Sequence, residues 1–257
     1  MTEQYLSPLA DADSWSTYGL RLTAFPSPSA QIDSSQWWKE TVGIAPETQE
    51  INRKAGVIRD GGPFGEGRLL LEIQPTKIDW RFTSLIEEEA GVNLPERLLP
   101  LETTLNTFVP AMNRWLRICP STIRLAFGAY LATPVGDRPM GYAQLSKFLH
   151  YVQLDPVGAS DFFYQVNRPR ESKTIPSLRL NRLTKWSVLS ASSGQLVLGS
   201  GNQIVATQNQ EMLARHLELD LNTAAENTTE FRNEDLLPLW DELVQLGREI
   251  ADKGDRP

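Results

Sequence analysis

The sequence predicts an α+β protein, with mainly antiparallel sheets and helices packed on one face. Three observations carry that prediction. Several short runs alternate apolar with polar residues, the period of a half-buried strand. Other segments repeat apolar residues at helical spacing. The connections between successive runs favour antiparallel pairing, with the helices gathered over a single face.

Gly19 to Phe25 places Leu20, Leu22 and Ala24 on one side, and Pro26 and Pro28 stop the strand. Ser34 and Ser35 ahead of Trp37 and Trp38 predict the start of a short helix. From Thr41 to Gly67, Asp60-Gly61-Gly62-Pro63 with Gly65 and Gly67 predicts a long loop. Leu69, Leu71 and Ile73, a Pro75-Thr76 turn, and Ile78, Trp80 and Phe82 then form a hairpin with one apolar face. Glu87-Glu88-Glu89, between Ile86 and Ala90, is expected to be a charged face at a helix end.

Leu101, Leu105, Phe108, Val109, Met112 and Leu116 recur as in a helix, which Pro110 would kink or break. A long strand through Ile123, Leu125, Phe127, Ala129 and Leu131 follows, then a helix from Tyr142 to Val152. Phe162-Tyr164-Val166 and Leu178 to Leu189 read as strands; Leu183 falls out of phase, which predicts a bulge or an edge position near Asn181-Arg182. Turns are expected at Gly194 and Ser200-Gly201-Asn202, and a last strand through Leu217, Leu219 and Leu221. Asn233 is expected to cap the closing helix, with Glu234 and Asp235 in its first turn and Leu236, Leu239, Trp240, Leu243, Val244, Gly247 and Ile250 on its buried face.

Strand, helix, strands, helix thus occurs twice, which suggests a duplicated unit with halves at 1–120 and 121–257, either separate or fused into one domain. At 257 residues and 40% hydrophobic content, either arrangement can bury a core. The single cysteine, Cys119, excludes an intramolecular disulfide. The opening residues lack a secretory pattern and no apolar run is long enough to span a bilayer, so we expect a cytoplasmic protein with no membrane partner.

Charge is unevenly placed. The net charge is −7, and residues 203–257 alone carry twelve acids against five basic residues. Between Gln165 and Ser187, by contrast, Arg168, Arg170, Lys173, Arg179, Arg182 and Lys185 face one acid, Glu171, a local charge of +5. The dipeptide Asn-Arg occurs twice there, at Asn167-Arg168 and Asn181-Arg182. Arginine supplies a fork of donors for carboxylate or phosphate, and Trp186 or Tyr164 offers a stacking face. The candidate binding surface is therefore Asn167, Arg168, Arg170, Arg179, Asn181, Arg182, Lys185 and Trp186. Its partner would be a protein or a second copy, or a polyanion such as RNA or DNA, or the cations would pair with the acidic C-terminal segment itself.

Residues 123–252, with inward Ile123-Leu125-Phe127, the Asn-Arg strand, and Leu217-Glu218-Leu219-Asp220 before a long helix, resemble a family of sporadically distributed, uncharacterised bacterial proteins of this size. That resemblance implies a bacterial source and a duplicated α+β fold. It implies no catalytic residues.

The residues point to no cofactor. His150 and His216 have no partner at metal-ligand spacing, Cys119 precedes Pro120, and the glycines from Gly61 to Gly67 lack the lysine of a phosphate-binding loop. Asp161 followed by Glu171-Ser172-Lys173 has the loose spacing of a Mg²⁺-dependent nuclease, but Pro169 and Pro176 bracket the triplet. The expected function is non-catalytic binding or assembly within a larger complex, with the Asn-Arg strand pair as contact surface. A nucleic-acid-contacting subunit and a Mg²⁺-dependent nuclease remain alternatives.

Overall fold

In the computed structural model, residues 15–84, 98–198 and 204–256 are described, with backbone alone for residues 191–198 and 204–211. One antiparallel sheet of eleven strands runs through the molecule. The first half supplies β1 (Ser16–Pro26), α1 (Trp37–Val42), β2 (Thr48–Asn52), β3 (Val57–Phe64), β4 (Gly67–Gln74), β5 (Lys77–Ser84), the short β6 (Leu99–Pro100) and α2 (Leu101–Leu116). The second supplies β7 (Thr122–Val135), α3 (Arg138–Ser146), β8 (Phe163–Asn167), β9 (Arg170–Glu171), β10 (Arg179–Leu198), β11 (Ile204–Thr223) and α4 (Asn233–Lys253). Across the sheet the order is β2-β3-β4-β5-β1-β7-β11-β10-β8.

From the central β1–β7 pair outward, the two sides repeat one plan. β1 is followed by β5, β4 and β3; β7 is followed by β11, β10 and β8. That order is what two copies of a strand-helix-meander-helix unit produce when joined through their first strands.

Strand register shows why the sheet has one dry face. Leu71, Trp80, Leu22, Phe127 and Leu221 lie opposite one another in a row across five strands, and all are buried. Because side chains alternate, every second residue joins this face, and the helices cover it. Two aromatic nests fill it. Trp80 contacts Trp38 and Trp115 on one side; Trp15, Phe148 and Trp186 meet on the other. Trp240 of α4 touches both Phe108 of α2 and Phe127 of β7, so the two halves share one core.

Several expectations need correction. The segment expected to be a loop from Thr41 to Gly67 contains β2 and β3, and Asp60-Gly61-Gly62-Pro63 lies inside β3. Its glycines mark crowding rather than a turn: a Cβ at Gly61 would lie 2.8 Å from Thr48 Oγ1, and one at Gly62 3.2 Å from the Trp38 ring. No bulge occurs at Asn181-Arg182, because the β10–β11 register is unbroken from Leu180 to Val197. Leu183 simply faces the uncovered side, opposite Asp220. The interruption is in the edge strand instead. β8 and β9 pair with β10 in one common register, broken at Arg168-Pro169, where proline has no N–H to give. Gly194 lies within β10 and not at a turn, while Ser200-Gly201-Asn202 and Glu87-Glu88-Glu89 lie outside the described residues.

The helix expected from Tyr142 to Val152 is α3, displaced towards the N-terminus. Asp137 caps it by accepting from the Met140 amide at 2.7 Å, with Pro139 in its first turn, and it ends at Ser146. Arg232, not Asn233, occupies the cap position of α4 and binds Asp235 at 2.7 Å.

Candidate functional site

Alternation splits each Asn-Arg dipeptide between the two faces of the sheet. Arg182 lies opposite Leu221, in the row of Leu71, Trp80, Leu22 and Phe127, and so points to the helix side. Asn181 lies opposite Asn222 and points to the open side. The same division holds for Arg168 and Asn167 at the edge, and it gives the two residue types different work.

On the helix side the arginines fasten the C-terminal segment. Arg168 donates through Nε at 2.5 Å and Nη2 at 2.8 Å to the two carboxylate oxygens of Asp255, which also accepts from Tyr164. Such a two-bond fork is the strong form of the contact. The Asp255 amide donates to the Phe148 carbonyl, and Arg182 Nη2 donates to the Arg256 carbonyl at 2.9 Å. Arg170 binds Glu242 of α4 at 3.1 Å. Glu242 also accepts from Ser172 Oγ at 2.6 Å and from the amides of Lys173 and Thr174.

These contacts set the protonation of the carboxylates. Burial alone would push the Glu242 carboxyl up, but the Lys173 amide, Ser172, Thr174 and Arg170 together outweigh it and hold the group below its usual range. At Asp255 burial is likewise overcome, by the bonds from Arg168 and Tyr164. Burial, with Arg170 close by, lowers the Arg182 guanidinium.

Two of the three remaining cations are also engaged. Arg179 binds Glu226 at 3.2 Å on the rim of a groove of about 710 Å³ lined by Leu178, Ala224 and Phe231. Lys185 binds Glu218 at 2.8 Å across β10 and β11. Trp186 is fully buried, its indole N–H bonded to Thr184, and it stacks on Phe148 in the core. Five of the six cations of the +5 island therefore meet partners from residues 218–256, the acidic end of the same chain.

On the open side the asparagines form a ladder. Asn167 donates to Asn181 at 3.1 Å, Asn181 to Asn222 at 3.0 Å, and Asn222 to Asp220 at 3.0 Å. Asp220 then approaches Arg21 of β1 at 3.8 Å. The polar surface continues over the first half, where Thr23 and Lys77 bind Asp79, and Arg59 and Arg81 converge on Glu72. The bond from Arg59, with Gln74 and Arg81 behind it, holds the Glu72 carboxyl below the ordinary carboxylate range against burial, which pushes it up. A small hollow between Arg21, Arg124, Lys77 and Asn222 sits over Ala126.

On this face His216, weighed in the sequence only as a metal ligand, meets two residues that the sequence did not single out, Tyr18 and Ser187. His216 bonds Tyr18 Oη at 2.7 Å and lies 3.3 Å from Ser187 Oγ. Burial pushes the imidazole down to about 4, with Glu218 opposing and Lys185 adding to the fall. Tyr18 is pushed up by burial, Tyr130 and Glu218. His216 is thus a neutral hydrogen-bonding joint at neutral pH. Only the strand register could have signalled it, since Tyr18 and Ser187 are 198 and 29 residues away in sequence. Arg215, next to it, points the other way and is fully buried, its guanidinium over the rings of Trp15 and Phe148 at 4.5 and 5.3 Å.

The metal alternative finds little geometry. Among the described residues no group of three or more His, Cys, Asp or Glu could hold a metal ion. Glu171 lies exposed opposite Arg179, Asp161 is exposed on a bend, and the Lys173 amide is held by Glu242. His150 Nε2 lies 2.9 Å from the Lys253 carbonyl. Among the described residues no helix is long and apolar enough to cross a membrane.

No family model, no curated protein and no solved structure matches this chain.

Proposed function

We propose that this chain is a non-catalytic binding or assembly protein, a component of a larger complex, and that it meets a protein partner through the open face of its sheet. The observation that carries this reading is the polar ladder from Asn167 through Asn181, Asn222 and Asp220 to Arg21. It draws on four strands and passes over Gly128 of a fifth, β7, on the face opposite the helices. Side-chain amides in a row offer both donors and acceptors, and the rigid sheet holds their spacing, which suits hydrogen-bonded recognition of a protein surface.

The contact surface in this reading is the asparagine side of the basic strand pair. The arginine side has less support as a surface for RNA or DNA, because Arg168, Arg170 and Arg182 are committed to Asp255, Glu242 and the Arg256 carbonyl. A phosphate would have to displace those contacts.

The test is affinity purification of the tagged chain from its native cells, with partners identified by mass spectrometry. The same protein carrying Asn181→Lys and Asp220→Lys is compared after circular dichroism shows the fold retained. The reading expects a stoichiometric protein partner that the double variant loses. Retention of that partner by the variant, or binding of a single-stranded oligonucleotide with steep salt dependence that Arg168→Ala removes, would falsify it.

A further inference from the structure

β10 and β11 run on together past the rest of the sheet. β8 stops opposite Ser187 and β7 stops opposite Leu213, but the β10–β11 pairing continues to Leu198 and Ile204. Residues 190–198 and 204–212 therefore form a two-stranded ribbon, and beyond Ser190 no third strand pairs with either outer edge among the described residues. At about 3.3 Å per residue, nine residues of strand extend about 30 Å.

The ribbon differs chemically from the rest of the chain. Trp186 to Gln210 is a run of 25 residues without Asp, Glu, Lys, Arg or His, in a protein that is 22% charged and would place about five or six charges there. The run also lacks proline. Edge strands are ordinarily guarded by lysine, proline or inward charge, because their free N–H and C=O groups template pairing with another chain. The β10 edge carries no such guard, and on β11 the only charge of the ribbon is Glu211, at its root. At the root of the ribbon, on the open face, Phe163, Leu189 and Met212 are 61%, 36% and 37% exposed.

We propose that two copies of this chain pair edge to edge through β10, antiparallel about a two-fold axis, to continue the sheet from one molecule into the next. This rests on the reading of the chain as an assembly protein and adds a second copy as partner at a separate surface. Two arguments select that occupant. An edge paired antiparallel with its own copy is self-complementary by symmetry, so each free N–H meets a C=O of the same strand. Each chain carries −7, and contact through ribbons about 30 Å long whose only charge is Glu211 at the root holds the charged bodies several Debye lengths apart, where their repulsion is screened. Phe163 and Leu189, flanking the β10 edge, add apolar area where the ribbon leaves the sheet.

Sedimentation equilibrium of the full chain across micromolar concentrations tests the pairing. Two variants accompany it: one replaces residues 192–211 by an Asn-Gly turn between Ala191 and Met212, which face each other in register, and one carries Ser193→Lys and Gly194→Lys. The expected result is a dimer that changes little between 0.15 and 1 M NaCl, and that both variants weaken by about tenfold or more while their circular dichroism spectra keep the sheet. Amides of β10 beyond Ser187 should exchange more slowly in the dimer than at high dilution. A monomer at every concentration overturns the proposal, as does a dimer that survives both variants. A monomer whose ribbon amides are already protected also overturns it, since the chain would then cover its own edge. None of these results bears on the open-face partner, whose loss is read separately with Asn181→Lys and Asp220→Lys in the purification.

Discussion

Arg168 and Asp255 decide how the last residues of the chain are held. Asp255 is 3% exposed, and the backbone turns into it at Gly254, whose φ of +77° suits glycine. Removing the guanidinium leaves a carboxylate buried with only Tyr164 as side-chain donor, so Arg168→Ala should cost about 2–3 kcal/mol in urea unfolding, and Asp255→Asn less. Equal stabilities of Arg168→Ala and wild type would remove the fork from the account. His216 makes a pH prediction. Its folded value, near 4, lies below the unfolded 6.5, so the unfolded chain binds the extra proton between those values. Stability from this group is complete above pH 6.5 and is lost as pH falls towards 4, by about 3 kcal/mol. His216→Gln should flatten the stability profile over that window. Glu242 and Asp255, held low, act further down: their contribution is present above their ordinary 4.5 and 3.8 and disappears as pH falls through their lower folded values.

At the scale of elements, α4 combines an apolar stripe with a clamp. Leu239, Trp240, Leu243, Leu246, Gly247 and Ile250 are buried, while Glu242 gathers the β9 turn through four donors. Gly247 lets the helix approach β7, for a Cβ there would sit 2.6 Å from the Phe127 ring. Gly247→Ala gains up to about 1 kcal/mol of helix propensity, but overpacking against a ring fixed between Trp240 and Leu221 costs about 1–3 kcal/mol. The net effect expected is destabilisation, measured as a lower thermal midpoint; a raised midpoint would mean that α4 can shift away. The alternation that splits Asn-Arg is likewise an element property. A reading of composition sees six cations together, whereas the strand sends Arg182 under α4 and Asn181 to the other face.

For the whole molecule, the consequential contact is the β1–β7 pair. It joins the halves through ten register positions, and Trp240 then bridges α2 and β7. Unfolding should accordingly be one transition, coincident by tryptophan fluorescence and far-ultraviolet circular dichroism; two separated transitions would show halves with independent cores. The sequence by itself determined the α+β class, the apolar face of most strands, the hairpin at Pro75-Thr76, α2, α4 and the positions of the charges. Those follow from periodicity and residue chemistry, which act over a few neighbours. It misread 41–67 because Gly61 and Gly62 answer to Thr48 and Trp38 across space, and it left the basic island open because ion pairing with Asp255 and Glu242 spans about ninety and seventy residues. Tertiary structure alone decided which side of the sheet each residue faces, hence that the arginines close the molecule on its own acidic end while the asparagines line its open face. Burial and register are relations between distant strands, and no local pattern contains them.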